Sequence, residues 1–141
     1  MSQKKKNIEV NYYTNGTLNS KECYKDGKRE GPMISYYQNG QLRMTGNYLE
    51  GKEEGLRVVY YDNGTLWSKS GYNIGKREGP SVQYHKNGRL LMKANYNDGQ
   101  KDGPSIGYWD NGQLNWKGNY RNGKKVGAWV WFNDDGTESK N

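Results

Sequence analysis

Two adjacent stretches decide the fold: Tyr36-Tyr37-Gln38-Asn39-Gly40-Gln41-Leu42, and then Gly46-Asn47-Tyr48-Leu49-Glu50-Gly51-Lys52-Glu53-Glu54-Gly55. The Asn39-Gly40 pair predicts a tight hairpin turn with a positive φ at the glycine. From Leu42 to Tyr48, apolar or small residues alternate with polar residues, which is typical of a strand. The glycines between Leu49 and Gly55 predict a looser turn that reverses the chain again. The unit therefore predicts the order strand, tight turn, strand, looser turn.

The same unit recurs with a period of 24 residues along almost the whole chain. The period is kept by the asparagine of the turn (Asn15, Asn39, Asn63, Asn87, Asn111), by a leucine (Leu18, Leu42, Leu66, Leu90, Leu114) and by three tyrosine positions (Tyr12, Tyr13 and Tyr24 with their equivalents). One hairpin buries too little apolar surface to be stable alone, so stability is expected from contacts between neighbouring units. The sequence predicts an all-β protein, an elongated antiparallel meander of about six tandem β-hairpin repeats. We expect the array at residues 10–136, between a flexible basic arm at 1–9 and a tail at 137–141.

The composition limits the class of protein. The chain has 141 residues, of which 31% are hydrophobic and 20 are glycine, and its mean hydropathy is −1.27. An aromatic content of 13% argues against disorder, because disordered segments are poor in aromatic residues. No apolar run approaches the roughly 20 residues of a membrane-spanning helix, and no apolar run follows Lys4-Lys5-Lys6 as in a signal peptide. With Cys23 as the single cysteine, a reducing, cytoplasmic location is expected.

Strand alternation divides the side chains between two faces of the sheet. We expect the leucine and Tyr48 positions to share an inner face with Ile34 and its equivalents. The opposite face is expected to carry an aromatic column flanked by lysines, and rigid aromatic side chains beside lysines are typical interface anchors. The predicted partner-binding residues are Tyr13, Tyr37, Tyr61, His85, Trp109, Lys69, Lys93 and Lys117. The alternative is that the aromatic column only supports the sheet across its strands.

No catalytic arrangement emerges from the sequence. Gly46-x-x-x-x-Gly51-Lys52 resembles a phosphate-binding loop, but Glu53 stands where Ser or Thr should hold Mg²⁺, and no helix is predicted to follow. His85 is the only histidine and lies at an aromatic position without a partner for a catalytic triad. We therefore predict that the protein is not an enzyme and has no catalytic residues, no cofactor and no metal site.

The pattern Tyr-Tyr-x-Asn-Gly-x-Leu, followed by Gly-x-Tyr-x-x-Gly-Lys-x-x-Gly, resembles the MORN repeat, and most closely its bacterial variant in the YwqK-type antitoxin family. The resemblance implies a non-enzymatic scaffold that binds a partner protein, such as a toxin or an enzyme, and neutralises it by occupying it. The alternative is a cationic array that binds acidic membrane lipid or nucleic acid, since the formal net charge is +7. Trp129, Trp131 and Phe132 depart from the unit and predict a C-terminal cap or a patch for self-association.

Overall fold

The computed structural model of the chain describes residues 5–140, and these residues form one antiparallel sheet without a helix. Its 13 strands are β1 (Lys6–Tyr12), β2 (Leu18–Lys25), β3 (Lys28–Tyr36), β4 (Leu42–Leu49), β5 (Lys52–Glu53), β6 (Gly55–Tyr60), β7 (Leu66–Asn73), β8 (Lys76–Tyr84), β9 (Leu90–Asn97), β10 (Gln100–Lys101), β11 (Gly103–Tyr108), β12 (Leu114–Arg121) and β13 (Lys124–Trp131). The hydrogen-bonded order is β1-β2-β3-β4-β6-β7-β8-β9-β11-β12-β13, while the short strands β5 and β10 pair with β4 and β9. The sheet follows the order of the sequence, which confirms the predicted all-β meander.

The strands form five complete hairpins and one additional strand, β13. Each hairpin has a first strand that ends at a tyrosine such as Tyr36 and a second strand that begins at a leucine such as Leu42. After β13, the equivalent of the next second strand contributes a single bridge between Phe132 and Glu138. The array therefore contains five and a half of the units that the sequence repeats.

The two kinds of turn are the reverse of the expectation. Glu50 and Gly51 both have positive φ, 49° and 85°, and they connect β4 directly to β5. This is a two-residue type I′ turn, which matches the right-handed twist of the strands. At Asn39-Gly40 only the glycine has a positive φ, 86°, and Tyr37 N–H donates to Gln41 O at 2.8 Å across a longer loop. The tight turn is therefore at the Gly51 position and the longer turn is at Asn-Gly.

A bulge beside each Asn-Gly turn changes the face that the leucine occupies. Ser35 pairs with Met44, but Tyr36 pairs with Leu42, so one residue of β4 is left without a place in the register. Because the alternation is interrupted there, Leu42 lies on the face of Tyr36, whereas Met44 and Tyr48 lie on the other face. The expectation of one inner face for the leucine and Tyr48 positions is therefore wrong.

Cross-strand pairs define the two faces. Val58 pairs with Thr45 on one side and with Lys69 on the other, and directly paired residues project to the same face. The face that we call the lysine face carries Val10, Ile34, Val58, Val82, Ile106 and Val130 beside Lys21, Thr45, Lys69, Lys93 and Lys117. The expectation that these two columns lie on opposite faces is wrong.

The opposite face, which we call the serine face, contains the most buried side chains. Ser105, Ser70, Ser35 and Ser81 are 3%, 4%, 6% and 7% exposed. Longer side chains cover these small residues, as where Arg77 Nη2 donates to Ser70 Oγ at 3.1 Å. Among the described residues, no large side chain is fully buried. Stability therefore comes from repeated half-buried contacts along a single-layer sheet, as in other repeat arrays.

The sheet extends beyond the predicted limits of the array. β1 begins at Lys6, which pairs with Lys25, so residues 6–9 of the predicted arm belong to a strand. In the predicted tail, Ser139 N–H donates to Trp131 O at 2.7 Å. Residues 1–4 of the arm and residue 141 of the tail lie outside the described residues. In the part of the chain that is described, no helix is long and apolar enough to cross a membrane.

Candidate binding surfaces

The predicted aromatic column links each unit to the next. The hydroxyl groups of Tyr13, Tyr37 and Tyr61 donate to the carbonyl oxygens of Tyr36, Tyr60 and Tyr84 at 2.7, 2.6 and 2.8 Å. The three rings are half-buried. In each case the acceptor lies 23 residues further along the chain, in the first strand of the next hairpin. These tyrosines therefore form a ladder of hydrogen bonds that joins the units.

His85 and Trp109 continue this ladder with different donors. His85 Nε2 lies 2.8 Å from Tyr108 O, and Trp109 Nε1 donates to Phe132 O at 3.1 Å. A carbonyl oxygen only accepts hydrogen bonds, so His85 carries a proton on Nε2. Three different rings thus place an O–H or N–H donor against the next unit, which gives the lone histidine a structural role.

The asparagine of each longer turn also joins two units. Asn39 Oδ1 accepts the Gln41 N–H at 3.0 Å within its own turn, and Asn39 Nδ2 donates to Asp62 O of the next turn at 2.9 Å. The second bond recurs from Asn87 and Asn111, in both cases at 2.7 Å. Only an amide side chain can accept and donate in this way. The repeated asparagine is therefore explained by cohesion of the array.

The type I′ turns are attached to the preceding unit by glutamates. Glu54 Oε2 accepts the Ile74 N–H and Glu78 Oε2 accepts the Asp98 N–H, both at 2.7 Å. The glycine of the turn adds a backbone bond, from Gly75 N–H to the carbonyl oxygen of the preceding unit at 2.8 Å. The repeated asparagines and glutamates thus hold neighbouring units together along both rows of turns.

The predicted lysines do not flank the aromatic column. Lys69, Lys93 and Lys117 are exposed and lie on the lysine face. Tyr37 instead lines a groove together with Val59. Val59 follows the lysine-face residue Val58 in the strand, so its side chain projects to the serine face, and the groove lies on that face. The sequence placed both columns on one face, and the structure separates them. A role in partner contact stays a prediction for both columns.

Both faces have constant and variable columns, but the widest variation lies on the serine face. On the lysine face, the Val58 position is always Val or Ile, and the Tyr60 position is always Tyr or Phe. On the serine face, one column runs Glu9, Met33, Arg57, Ser81, Ser105, Trp129, and its neighbour runs Asn11, Ser35, Val59, Gln83, Gly107, Trp131. The column at the groove edge is Asn19, Arg43, Trp67, Leu91, Asn115. The serine face therefore presents different chemistry in each unit over a constant framework.

This variation produces a groove in the middle of the serine face. Its volume is about 390 Å³, and three arginines, Arg43, Arg57 and Arg77, line it together with Trp67. Trp67 is 42% exposed and stacks on Tyr61, with the ring centroids 5.1 Å apart. Among the described residues that line the groove, none is acidic. The sequence prediction did not include these arginines or Trp67, although comparison of the units at the same position would have identified them.

The three guanidinium groups differ in how far they are neutralised. Arg57 Nη1 lies 3.4 Å from Glu53 Oε1 and donates to Tyr72 Oη at 3.4 Å. Burial opposes the charge of Arg57, but these two partners outweigh it, so the pKa of Arg57 is raised above its ordinary value. Arg43 and Arg77 form no ion pair with a described residue. The groove therefore combines an exposed aromatic ring with two uncompensated positive charges.

Comparison with known families accounts for the repeat. A family model described as MORN repeat variant matches five segments, residues 6–26, 29–50, 53–73, 77–98 and 101–122. The chain belongs to the MORN repeat variant family. No curated protein matches it. Each matched MORN segment covers the two strands of one hairpin, and β13 follows the last of them.

Beyond the fifth MORN unit, aromatic side chains replace the small residues of the serine face. Trp129 packs edge-on against Tyr120 at a centroid distance of 5.0 Å and lies 6.0 Å from Trp131. A methyl group at Gly118 would overlap the Trp129 ring, so this glycine makes room for it. Lys125 Nζ lies 4.8 Å from the Trp129 ring centroid. The cluster lies on the serine face of the last two strands, and both its role as a C-terminal cap and its self-association with Phe132 stay predictions.

Proposed function

We propose that this MORN repeat protein is a non-enzymatic, cytoplasmic scaffold whose serine face binds a partner protein. The observation that carries the proposal is the wide variation of three serine-face columns, which range from Ser and Gly to Arg and Trp, beside the constant Val58 and Tyr60 columns of the lysine face. Repeat arrays of this kind combine framework positions with variable surface positions in extended binding surfaces. Two residues of the predicted aromatic column belong to the proposed interface, because Tyr37 lines the groove and Tyr61 stacks on Trp67.

We propose further that binding neutralises the partner, as the resemblance to YwqK-type antitoxins implies. Hydrogen bonds join each unit of the sheet to the next, so the sheet loses little conformational entropy when it binds a partner. This rigidity favours tight binding. Under this proposal the chain inhibits a toxin or an enzyme by occupying the surface that the partner uses for its activity. The direct readout is the activity of the purified partner, measured while the chain is titrated into it. We expect this activity to fall until the chain and the partner are equimolar.

A second candidate function is supported by the lysine face. Lys69, Lys93 and Lys117 are exposed and are separated by two strand spacings, roughly 9–10 Å. A periodic row of cations attracts acidic membrane lipid or nucleic acid, and the formal net charge of +7 adds to that attraction. This candidate places the contact on the opposite side of the sheet, so the two functions are separable by variants.

The test compares one exposed side chain on each face of the same unit. Trp67 lies on the serine face and is 42% exposed, and Leu56 lies on the lysine face and is 58% exposed. The partner is isolated from an extract of the source cells with the wild-type chain, purified, and titrated against Trp67→Ala and Leu56→Ala. We expect a loss of affinity of tenfold or more for Trp67→Ala, about 1.4 kcal/mol, and almost none for Leu56→Ala.

The opposite ranking would assign the partner to the lysine face. If the wild-type chain instead retains only lipid or nucleic acid, the second candidate replaces the first. We expect circular dichroism to show that both variants remain folded, because neither substitution removes a constant inter-unit contact.

A further inference from the structure

The groove on the serine face has a charge pattern that selects its ligand. Arg43, Arg57 and Arg77 line it, and only Arg57 has a carboxylate partner among the described residues. Arg77 Cζ lies 4.5 Å from the Tyr96 ring centroid, and Arg77 Nη1 donates to Tyr96 Oη at 2.7 Å, which fixes its guanidinium group. A guanidinium group held in this way forms strong, directed hydrogen bonds with carboxylates. The groove is therefore complementary to a ligand that carries carboxylates.

The spacing of the units adds a second requirement. Arg43 and Trp67 occupy the same position in adjacent units, so they lie two strand spacings apart, roughly 9–10 Å. A peptide in the extended polyproline II conformation advances about 3.1 Å per residue and repeats its side-chain direction every three residues, so residues i and i+3 of such a peptide crossing the strands would both face these two positions. Leu91 is the next equivalent and would meet residue i+6. Leu91 lies outside the residues that line the groove, so the order of side chains along this column is cationic and aromatic in the groove and aliphatic beyond it.

We propose that the groove binds an extended acidic segment of the partner protein, with Asp or Glu at position i and apolar residues at positions i+3 and i+6. The inference rests on the proposed function and names the chemistry of the partner. Arg43 pairs with the carboxylate at i, Trp67 stacks on the apolar residue at i+3, and Arg77 attracts a further acidic residue beside them. Lipid headgroups and single-stranded nucleic acid offer anions without apolar side chains at this spacing.

The experiment measures fluorescence anisotropy of labelled peptides with the full chain at about 150 mM salt, where long-range attraction is screened. The first peptide contains Glu-x-x-Leu-x-x-Leu with serine and glycine at the other positions. Its controls replace Glu by Lys, or place the same residues next to each other. We expect the first peptide to bind at least about tenfold more tightly than either control, because a charge-assisted pair and the stacked contact are both lost in them.

Matched variants locate the site. Arg43→Gln removes an exposed charge on the serine face, and Lys69→Gln removes an exposed charge on the lysine face. We expect Arg43→Gln to weaken the peptide roughly tenfold and Lys69→Gln to leave the affinity within about twofold. Equal losses would show general attraction to a cationic protein and would overturn the proposal. Tighter binding of phosphatidylserine vesicles or of an oligonucleotide that Arg43→Gln weakens and Lys69→Gln does not would assign the groove to another ligand and would overturn it as well.

The isolated partner separates this inference from the proposed function. If Trp67→Ala weakens the partner but Arg43→Gln does not, the serine face binds the partner without an acidic segment, and only the inference fails. If neither variant weakens the partner, both fail. If both weaken it, the segment is then identified as the part of the partner that a Glu-x-x-Leu-x-x-Leu peptide displaces.

Discussion

Removal of a single hydroxyl group from the tyrosine ladder tests how the units are held together. Tyr61 Oη donates to Tyr84 O at 2.8 Å, and Tyr61→Phe keeps the ring and its stacking on Trp67 while it removes the donor. The net contribution of such a hydrogen bond is about 1 kcal/mol. With a urea dependence of about 2 kcal/mol per M, the unfolding midpoint is expected to fall by about 0.5 M.

The control and the multiple variant make this prediction quantitative. Tyr12 is 65% exposed on the edge strand, so Tyr12→Phe should change the free energy of unfolding by less than about 0.5 kcal/mol. The rungs at Tyr13, Tyr37 and Tyr61 are separated by two strand spacings, so their effects should add to about 3 kcal/mol in the triple Phe variant. Urea unfolding followed by tryptophan fluorescence and circular dichroism measures all of these.

A midpoint for Tyr61→Phe that equals that of Tyr12→Phe would refute the cohesive role of the ladder. The same variants also bear on the predicted partner contact. Because Phe preserves the contact area of the ring, a destabilised Tyr61→Phe that still binds the partner separates cohesion from recognition. Replacement of the whole ring by Ala would change both properties at once.

The remaining predictions concern packing, charge and pH. Gly118→Ala should destabilise the array by about 1–3 kcal/mol, because the new methyl group displaces the Trp129 ring. Gly46 occupies the same position in another unit, and a methyl group there meets no atom within 4 Å. Thermal melts should therefore show Gly46→Ala to be near neutral. Replacement of the three exposed lysines of the lysine face by Gln should abolish any binding to anionic vesicles in a sedimentation assay, with partner affinity kept within about twofold. Burial raises the pKa of Tyr61, so its stabilising contribution should be present below about pH 10 and lost as the pH rises through the folded value. The difference in melting temperature between wild type and Tyr61→Phe should therefore shrink in alkaline buffer, and a constant difference would contradict this.

The period of the sequence was sufficient for the fold but not for the faces. The Asn-Gly pairs and the alternation from Leu42 to Tyr48 predicted the meander correctly. The side of the sheet occupied by Leu42 could not be derived from alternation, because the bulge between Ser35 and Tyr36 shifts the register by one residue. A bulge depends on the partner strand, and a single strand pattern does not contain that information.

The turns and the groove illustrate two other limits. The type I′ turns place Glu50 and even the β-branched Ile74 at positive φ, 49° in both cases, where sequence rules expect glycine or asparagine. Their conformation follows from the register of the flanking strands and from the glutamate bond of the preceding unit. The groove residues Arg43 and Trp67 were not predicted, because periodicity identifies the positions that stay constant. The candidate recognition surface lies at positions where the units differ.

We propose that the partner contacts the serine face and not the lysine face. Hydroxyl-radical footprinting of the chain, free and in complex with its isolated partner, tests it with two side chains of one unit. Trp67 and Leu56 are 42% and 58% exposed on opposite faces, and both are oxidised readily when accessible. We expect the complex to protect Trp67 severalfold and to leave Leu56 as reactive as in the free chain. Protection of Leu56 with full reactivity at Trp67 would contradict it.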